Sequence, residues 1–309
     1  MLGGFRRLGD ENLKRMGNFA GEGAVLLAAA MWGCIGLLTR PLTARGFSAI
    51  ETVAGRAFFT TLFMLLIILA VNPRLLKIKI RDLWIFVGTG VFSFLFFNIC
   101  YMNSMVENSL SVACILMYTS PFWILTISIP LFKERFTLQK GIALAIAFGG
   151  CVLVCTSASL TLTGIGLVYG LLSGFGYALY TVFGKLAAGR YSQFTTVFYT
   201  FLFATLGALP FCNISALGAR IVSGNNIWLI LGIAVANTVL PYLLYTYGLA
   251  HTTSGKAAIL SIIEPVVAAV VGVFFFDEYM GFSGVFGIVL VVLGLVILEI
   301  KLKKSDPNK

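Results

Sequence analysis

The chain has 309 residues, of which 59% are apolar and 11% charged, with a mean hydropathy of +0.97 and a net charge of +10. That is too little polar surface to close a water-soluble globule of this length, so the chain must be solvated mainly by lipid. The positive charge does not mark a nucleic-acid binder, because it is dispersed at alternate ends of long apolar runs rather than gathered in one patch.

Residues 1–19 carry Phe5-Arg6-Arg7-Leu8 and Leu13-Lys14-Arg15-Met16, the pattern of either a short basic helix lying on an anionic leaflet or a disordered lead-in. Apolar runs near the roughly 20 residues that a bilayer demands follow at 24–42, 49–71, 84–103, 109–131 and 140–156. They resume at 164–184, 193–212, 226–248, 254–275 and 280–300, and a basic tail follows at 302–309. The runs are too long and too uniformly apolar for barrel strands, and in hydrocarbon a helix satisfies its own backbone. The expected fold class is therefore an all-α integral membrane protein with ten transmembrane helices. The first run reads as a permanent span rather than a cleaved signal sequence, since its Trp32-Gly33 has a counterpart in Phe175-Gly176. The connections 72–83 and 213–225 are too short to hold a soluble domain.

The two sets of runs are copies of one unit. Leu116-Met117-Tyr118-Thr119-Ser120-Pro121, an apolar stretch and Lys133-Glu134-Arg135 recur as Leu260-Ser261-Ile262-Ile263-Glu264-Pro265, an apolar stretch and Asp277-Glu278-Tyr279. Pro121 and Pro265, Glu134 and Glu278, Tyr101 and Tyr245, and Gly150 and Gly294 each lie 144 positions apart. This divides the chain into repeats at 20–157 and 158–301. Five spans per repeat is an odd number, so the second copy enters the membrane from the opposite side and the repeats are inverted. That is the usual build of a solute carrier with its site between the copies.

Charge sets the orientation. Arg6, Arg7, Lys14, Arg15, Arg74, Lys77, Lys79, Arg81, Lys133, Arg135, Lys140, Lys185, Arg190, Lys256 and the lysines of the tail fall on the side of the N-terminus. Arg40, Arg45 and Arg220 fall on the other, and Arg56 lies within the second run. By the positive-inside rule both termini are cytoplasmic, in a multi-pass protein of the plasma or inner membrane.

Some residues stand out from the apolar background. Glu264 is ionisable within a span, where charge is costly, which suits it to carry a proton, to pair with a cationic solute, or to be locked to Arg56 or Lys256. Pro121 and Pro265 each remove an amide donor in mid-span, leaving the carbonyls of Met117 and Ser261 as polar contacts or as points of flexure for gating; the alternative is a static kink. Gly166, Gly170 and Gly174 recur every four residues and make a bare packing face. The six cysteines (Cys34, Cys100, Cys114, Cys151, Cys155 and Cys212) lack metal or disulfide spacing and read as small core residues. His251 is the sole histidine, so no metal site and no catalytic triad is assembled, and no phosphate loop appears. Neither an enzyme nor an ATP-driven pump is expected, and no cofactor is required.

Trp32-Gly33, Arg56-Ala57-Phe58, Asn98 with Tyr101, Tyr118-Thr119-Ser120-Pro121 before Lys133-Glu134-Arg135, and then Glu264-Pro265, Asp277-Glu278 and Gly294 together resemble an EamA-type carrier of the drug/metabolite transporter superfamily, over about residues 20 to 300. The resemblance implies a ten-helix secondary transporter, commonly an exporter of amino acids or related metabolites, without fixing the substrate. It also implies that Trp32, Asn98, Tyr101, Tyr118, Tyr177, Tyr180, Asn237, Tyr242 and Tyr245 lie on cavity-lining helices. Tyrosine and tryptophan offer an apolar wall with one hydrogen-bonding tip, suited to an amphipathic metabolite or a cation; packing or an interfacial belt is the alternative for each. Arg56 matches the family's arginine and is expected first to snorkel toward the outer interface, and second to contact a carboxylate.

Three functions are compatible with these residues. The first is a secondary transporter working by alternating access and exporting a small metabolite, with proton exchange. The second is a passive channel or facilitator, and the third a non-transporting scaffold or receptor. The partners expected are a small solute and the lipid bilayer; nucleic acid is not among them, and a monomer suffices because the duplication lets one chain complete a cavity.

Overall fold

The computed structural model describes residues 19–156 and 162–300. The amphipathic pattern between Phe5 and Met16, the repeat boundary at 157/158 and the tail at 302–309 lie outside the described residues. Among the described residues ten helices are long and apolar enough to cross a bilayer. These are α1 (Phe19–Ala44), α2 (Ala49–Val71), α3 (Ile80–Glu107), α4 (Leu110–Phe132), α5 (Leu138–Cys155), α6 (Gly164–Ala188), α7 (Gln193–Phe211), α8 (Ile214–His251), α9 (Ser254–Phe276) and α10 (Phe282–Glu299). Each predicted run coincides with one of them to within a few residues, apart from the start of α8.

Local chemistry explains most of the starts and stops. Ser48 and Ser192, and Ser109 and Thr253, each accept from the amide three residues on, and each pair is 144 positions apart. Such side-chain caps satisfy amides that have no partner within the helix. Glu51 completes a capping box with Ser48. At the far ends of α4 and α9 the chain turns through left-handed Lys133 and Asp277, both at φ 53. Non-glycine residues take that conformation only at some strain, and here both copies take it at the same place.

The connection ahead of the eighth span is more ordered than its polarity implies. Ile214–Val222 is helical with Leu217 and Ile221 buried, and left-handed Gly224 and Asn225 turn the chain into the span proper at Asn226.

Regular helix is interrupted in matching places. α4 breaks after Met117 and resumes at Ser120; α9 breaks after Leu260 and resumes at Ile263. α3 widens into a π-helix over Gly88–Leu95, and α8 does so over Val235–Val239. Such bulges free backbone groups and collect at functional sites. Side chains from neighbouring helices serve the buried backbone nearby: Ser93 donates to the Gly176 carbonyl (2.8 Å) and Thr60 to that of Ala234 (3.4 Å).

Glycine lets the helices touch. A methyl group on Gly150 would sit 2.6 Å from the Gly287 carbonyl oxygen, and one on Gly287 would sit 2.7 Å from that of Gly150. Gly294 meets Ala143 in the same way at 2.8 Å. The α5–α10 pair is thus packed backbone to backbone, the small-residue contact that membrane helices favour. Phe282, Phe286, Val289, Val292 and Val296 of α10 are exposed, a surface that hydrocarbon rather than water would cover.

Polar contacts concentrate at helix ends. Asp82 takes Arg190 (2.5 Å) and the Tyr191 hydroxyl (2.6 Å), and Lys256 pairs with Glu22 (2.6 Å) and Glu299 (2.9 Å). Partial desolvation, reinforced by its hydrogen bond to Asp82, holds the Tyr191 phenol above its ordinary range.

Candidate functional site

The helix breaks converge on one central cavity of about 310 Å³. α1 loses its regular ladder at Cys34 and Ile35, and Gly33 lies so close to α9 that a methyl group there would sit 2.6 Å from the Glu264 carbonyl oxygen. α6 crosses the α4 break likewise: a methyl on Gly174 would sit 2.6 Å from Thr119 Oγ1 and 2.8 Å from the Leu116 carbonyl oxygen. The glycine face of α6 is therefore the surface that seats the broken helix.

Trp32, Asn98, Tyr101, Tyr118, Tyr177, Tyr242 and Glu264 line this cavity. Trp32 stands edge-on to Tyr242 (centroids 5.1 Å apart) and Tyr177 (6.4 Å), and Phe97 meets Tyr177 at 5.3 Å. The result is an apolar wall of ring faces and edges. The Asn98 amide nitrogen serves the Phe94 carbonyl (2.6 Å), which lies in the α3 bulge, and the Tyr101 hydroxyl lies 2.9 Å from Cys114 Sγ.

Glu264 sits on the break of α9. Its amide donates to the Ser261 carbonyl (3.0 Å), so that carbonyl is not free as expected from the missing Pro265 donor. Its Oε2 accepts from the Tyr177 hydroxyl at 3.0 Å. Among the described residues it makes no ion pair; Lys256, one of the two partners considered from sequence, is taken by Glu22 and Glu299.

Other candidates lie elsewhere. Tyr180 and Tyr245 line a smaller hollow of about 20 Å³ against the same wall. Their hydroxyls are engaged by Thr246 and Thr181, both at 2.8 Å. Asn237 is outside the cavity, and its amide nitrogen holds the Met31 carbonyl (2.5 Å) at the kink of α1. Pro121 and Pro265 are also outside it. Each falls in the first turn of a resumed helix, where a missing donor costs nothing.

Arg56 departs from the expectation of snorkelling. It is only 8% exposed, lines the cavity, and lays its guanidinium 4.7 Å above the Phe94 ring. The available signal was the charge itself, an arginine two turns inside an apolar run.

The two ends of the helices around the cavity differ. At the end that the cavity reaches, Arg40 pairs with Glu278 (2.6 Å) and lies over Phe276, both partners about half exposed. Beyond the cavity lining, near the C-terminal end of α6, Lys185 donates to the carbonyls of Leu249 and Thr252 (2.5 Å each). Glu134 there accepts from the amides of Ser254 (2.7 Å) and Gly255 (3.1 Å). Among the described residues no group of three or more His, Cys, Asp or Glu side chains converges as a metal site would require.

The EamA-like transporter family matches residues 19–156 and again 164–300. The chain is 28% identical over 278 residues to an uncharacterized transporter of Archaeoglobus fulgidus, covering 90% of this chain and 95% of that one. It is 25% identical to the uncharacterized transporter YxxF of Bacillus subtilis, covering 90% and 88%. A solved crystal structure superposes with a TM-score of 0.75 at 15% identity, over 90% of this chain and 96% of that one, a likeness of fold alone.

Proposed function

We propose a mechanism for this chain from one premise: it belongs to the EamA-like transporter family and is a multi-pass membrane transporter rather than an enzyme. In our reading it is a secondary carrier that works by alternating access. It exports small metabolites such as amino acids or related compounds in exchange for protons, with both termini in the cytoplasm and the Arg40 end of the cavity facing outward. The observation that carries this is Glu264, a carboxylate on a helix break in the central cavity with no cationic partner among the described residues. Charge there needs compensation. A proton or a cationic group of the solute supplies it, and competition between the two couples their movements.

Alternating access needs two arrangements of similar energy. The end contacts offer them. Glu134 holds the amides of Ser254 and Gly255, closing the Lys185 end. At the repeat offset of 144 the matching acceptor is Glu278 and the matching donors are the amides of Leu110 and Ser111. Glu278 instead holds Arg40, and Leu110 lines the open cavity. Exchanging these contacts between inverted repeats would close one end and open the other. Beside the aromatic wall the Tyr180–Thr246 and Thr181–Tyr245 pairs leave a hollow of only about 20 Å³, which supports a carrier over a passive channel.

Reconstituted protein is expected to give saturable flux with counterflow. Glu264→Gln is expected to retain exchange while losing uptake driven by a pH gradient. Unchanged pH coupling in that variant would remove the assignment, and fast flux without counterflow would favour a channel.

A further inference from the structure

Arg56, like Glu264, is a cavity-lining charge with no ion pair among the described residues. It is more than nine-tenths buried, and its Nε has no hydrogen-bond partner. Among the described residues it makes no ion pair; Glu51, the carboxylate nearest to it in α2, is held by Arg220 (3.0 Å) and by Ser48. Glu264 lines the same cavity but is held by Tyr177. The Phe94 ring face offers partial compensation through its quadrupole. A buried guanidinium is costly unless paired and hydrogen-bonded, and its planar fork is built for a carboxylate or phosphate.

We propose that Arg56 is a substrate-binding residue, and that the solute is a zwitterion whose anionic group Arg56 receives while Glu264 receives its cationic group. This rests on the carrier reading of the same cavity. It assigns the solute's anionic group to Arg56, a contact that Glu264 alone leaves open. One pole without the other would leave a buried charge unmatched, so the site discriminates against simple amines as well as simple acids. The aromatic wall between the poles accommodates an apolar side chain.

The test uses the full-length protein in detergent and three pairs of probes: glycine with methylamine, leucine with isoamylamine, and phenylalanine with phenethylamine. Binding is read by calorimetry or by the shift in melting temperature. At least one amino acid is expected to bind about tenfold or more tightly than its amine, the scale of one hydrogen-bonded charge. Arg56→Gln is expected to abolish that preference by weakening the amino acid and sparing the amine. Arg56→Lys, which keeps the charge but not the fork, should retain part of it and control for folding. The proposal is overturned if each amine binds as tightly as its parent amino acid, if none of the six binds, or if Arg56→Gln keeps the preference. Counterflow in vesicles separates the two levels. Selective binding without counterflow defeats the carrier and leaves Arg56 its role, whereas counterflow indifferent to Arg56→Gln defeats the role of Arg56 and leaves the carrier.

Discussion

Asn237 and Glu264 have the same standing in the sequence, as polar groups inside apolar runs, and their surroundings set them apart. The amide of Asn237 is spent on the Met31 carbonyl, and Glu264 faces the cavity. Asn237→Leu leaves that carbonyl without this donor beside the α1 kink. We expect a loss of about 1–3 kcal/mol, measured by thermal unfolding in detergent; an unchanged melting temperature would refute the capping role. Tyr180 and Tyr245 likewise spend their hydroxyls on threonines. Each Tyr→Phe change is therefore expected to lower stability by about 1 kcal/mol and to leave solute affinity unaltered, and a large affinity loss would make them direct contacts. Nothing in residue type forecasts which tyrosine tips are free, because that depends on what stands opposite them.

At the level of elements, the recurring prolines were legible but their consequence was not. A missing amide at Pro265 predicts an orphan carbonyl on Ser261, yet the chain tightens locally and the Glu264 amide takes that carbonyl. The prolines start half-helices, and the cavity gains its polar groups from the residues beside them. Glycine spacing on α6 likewise announced close packing without naming the partner, which is the break of α4. On α5 the contact is with the α10 backbone itself, and Gly150→Leu must separate the two helices. We expect about 1–3 kcal/mol of overpacking or more, seen as loss of monodisperse protein, and normal behaviour in detergent would show that the contact is loose. The exchange of end contacts has its own test. In a background without other cysteines, Glu134→Cys with Ser254→Cys should cross-link on oxidation, stop flux, and recover on reduction; flux that continues through the cross-link would rule out that closure.

For the whole molecule, orientation is the consequence of an odd number of spans in each copy. If, as we propose, the N-terminus is cytoplasmic, the connection between α5 and α6 lies outside and that between α8 and α9 inside. A cysteine introduced by Leu162→Cys is expected to react with an impermeant thiol reagent on intact cells, whereas Thr252→Cys should react only after permeabilisation. The opposite result, or labelling of both from outside, would overturn the inverted arrangement and with it the exchange of ends.

The amino-acid sequence by itself determined the class and the count of elements. Lipid-length apolar runs leave no other way to satisfy the backbone, and hydrophobicity is a local property that can be summed along the chain. The cost of charge inside a span also pointed to Glu264, and the resemblance to EamA-type carriers pointed to Trp32 and the tyrosines as a group. Only the tertiary structure decided that Arg56 lines the cavity, that Lys256 is paired with Glu22 and Glu299, and that Asn237 braces a kink. Those outcomes depend on which residues from distant helices fill the space around a charge. Pairing and burial belong to the three-dimensional arrangement and leave no periodicity in the chain.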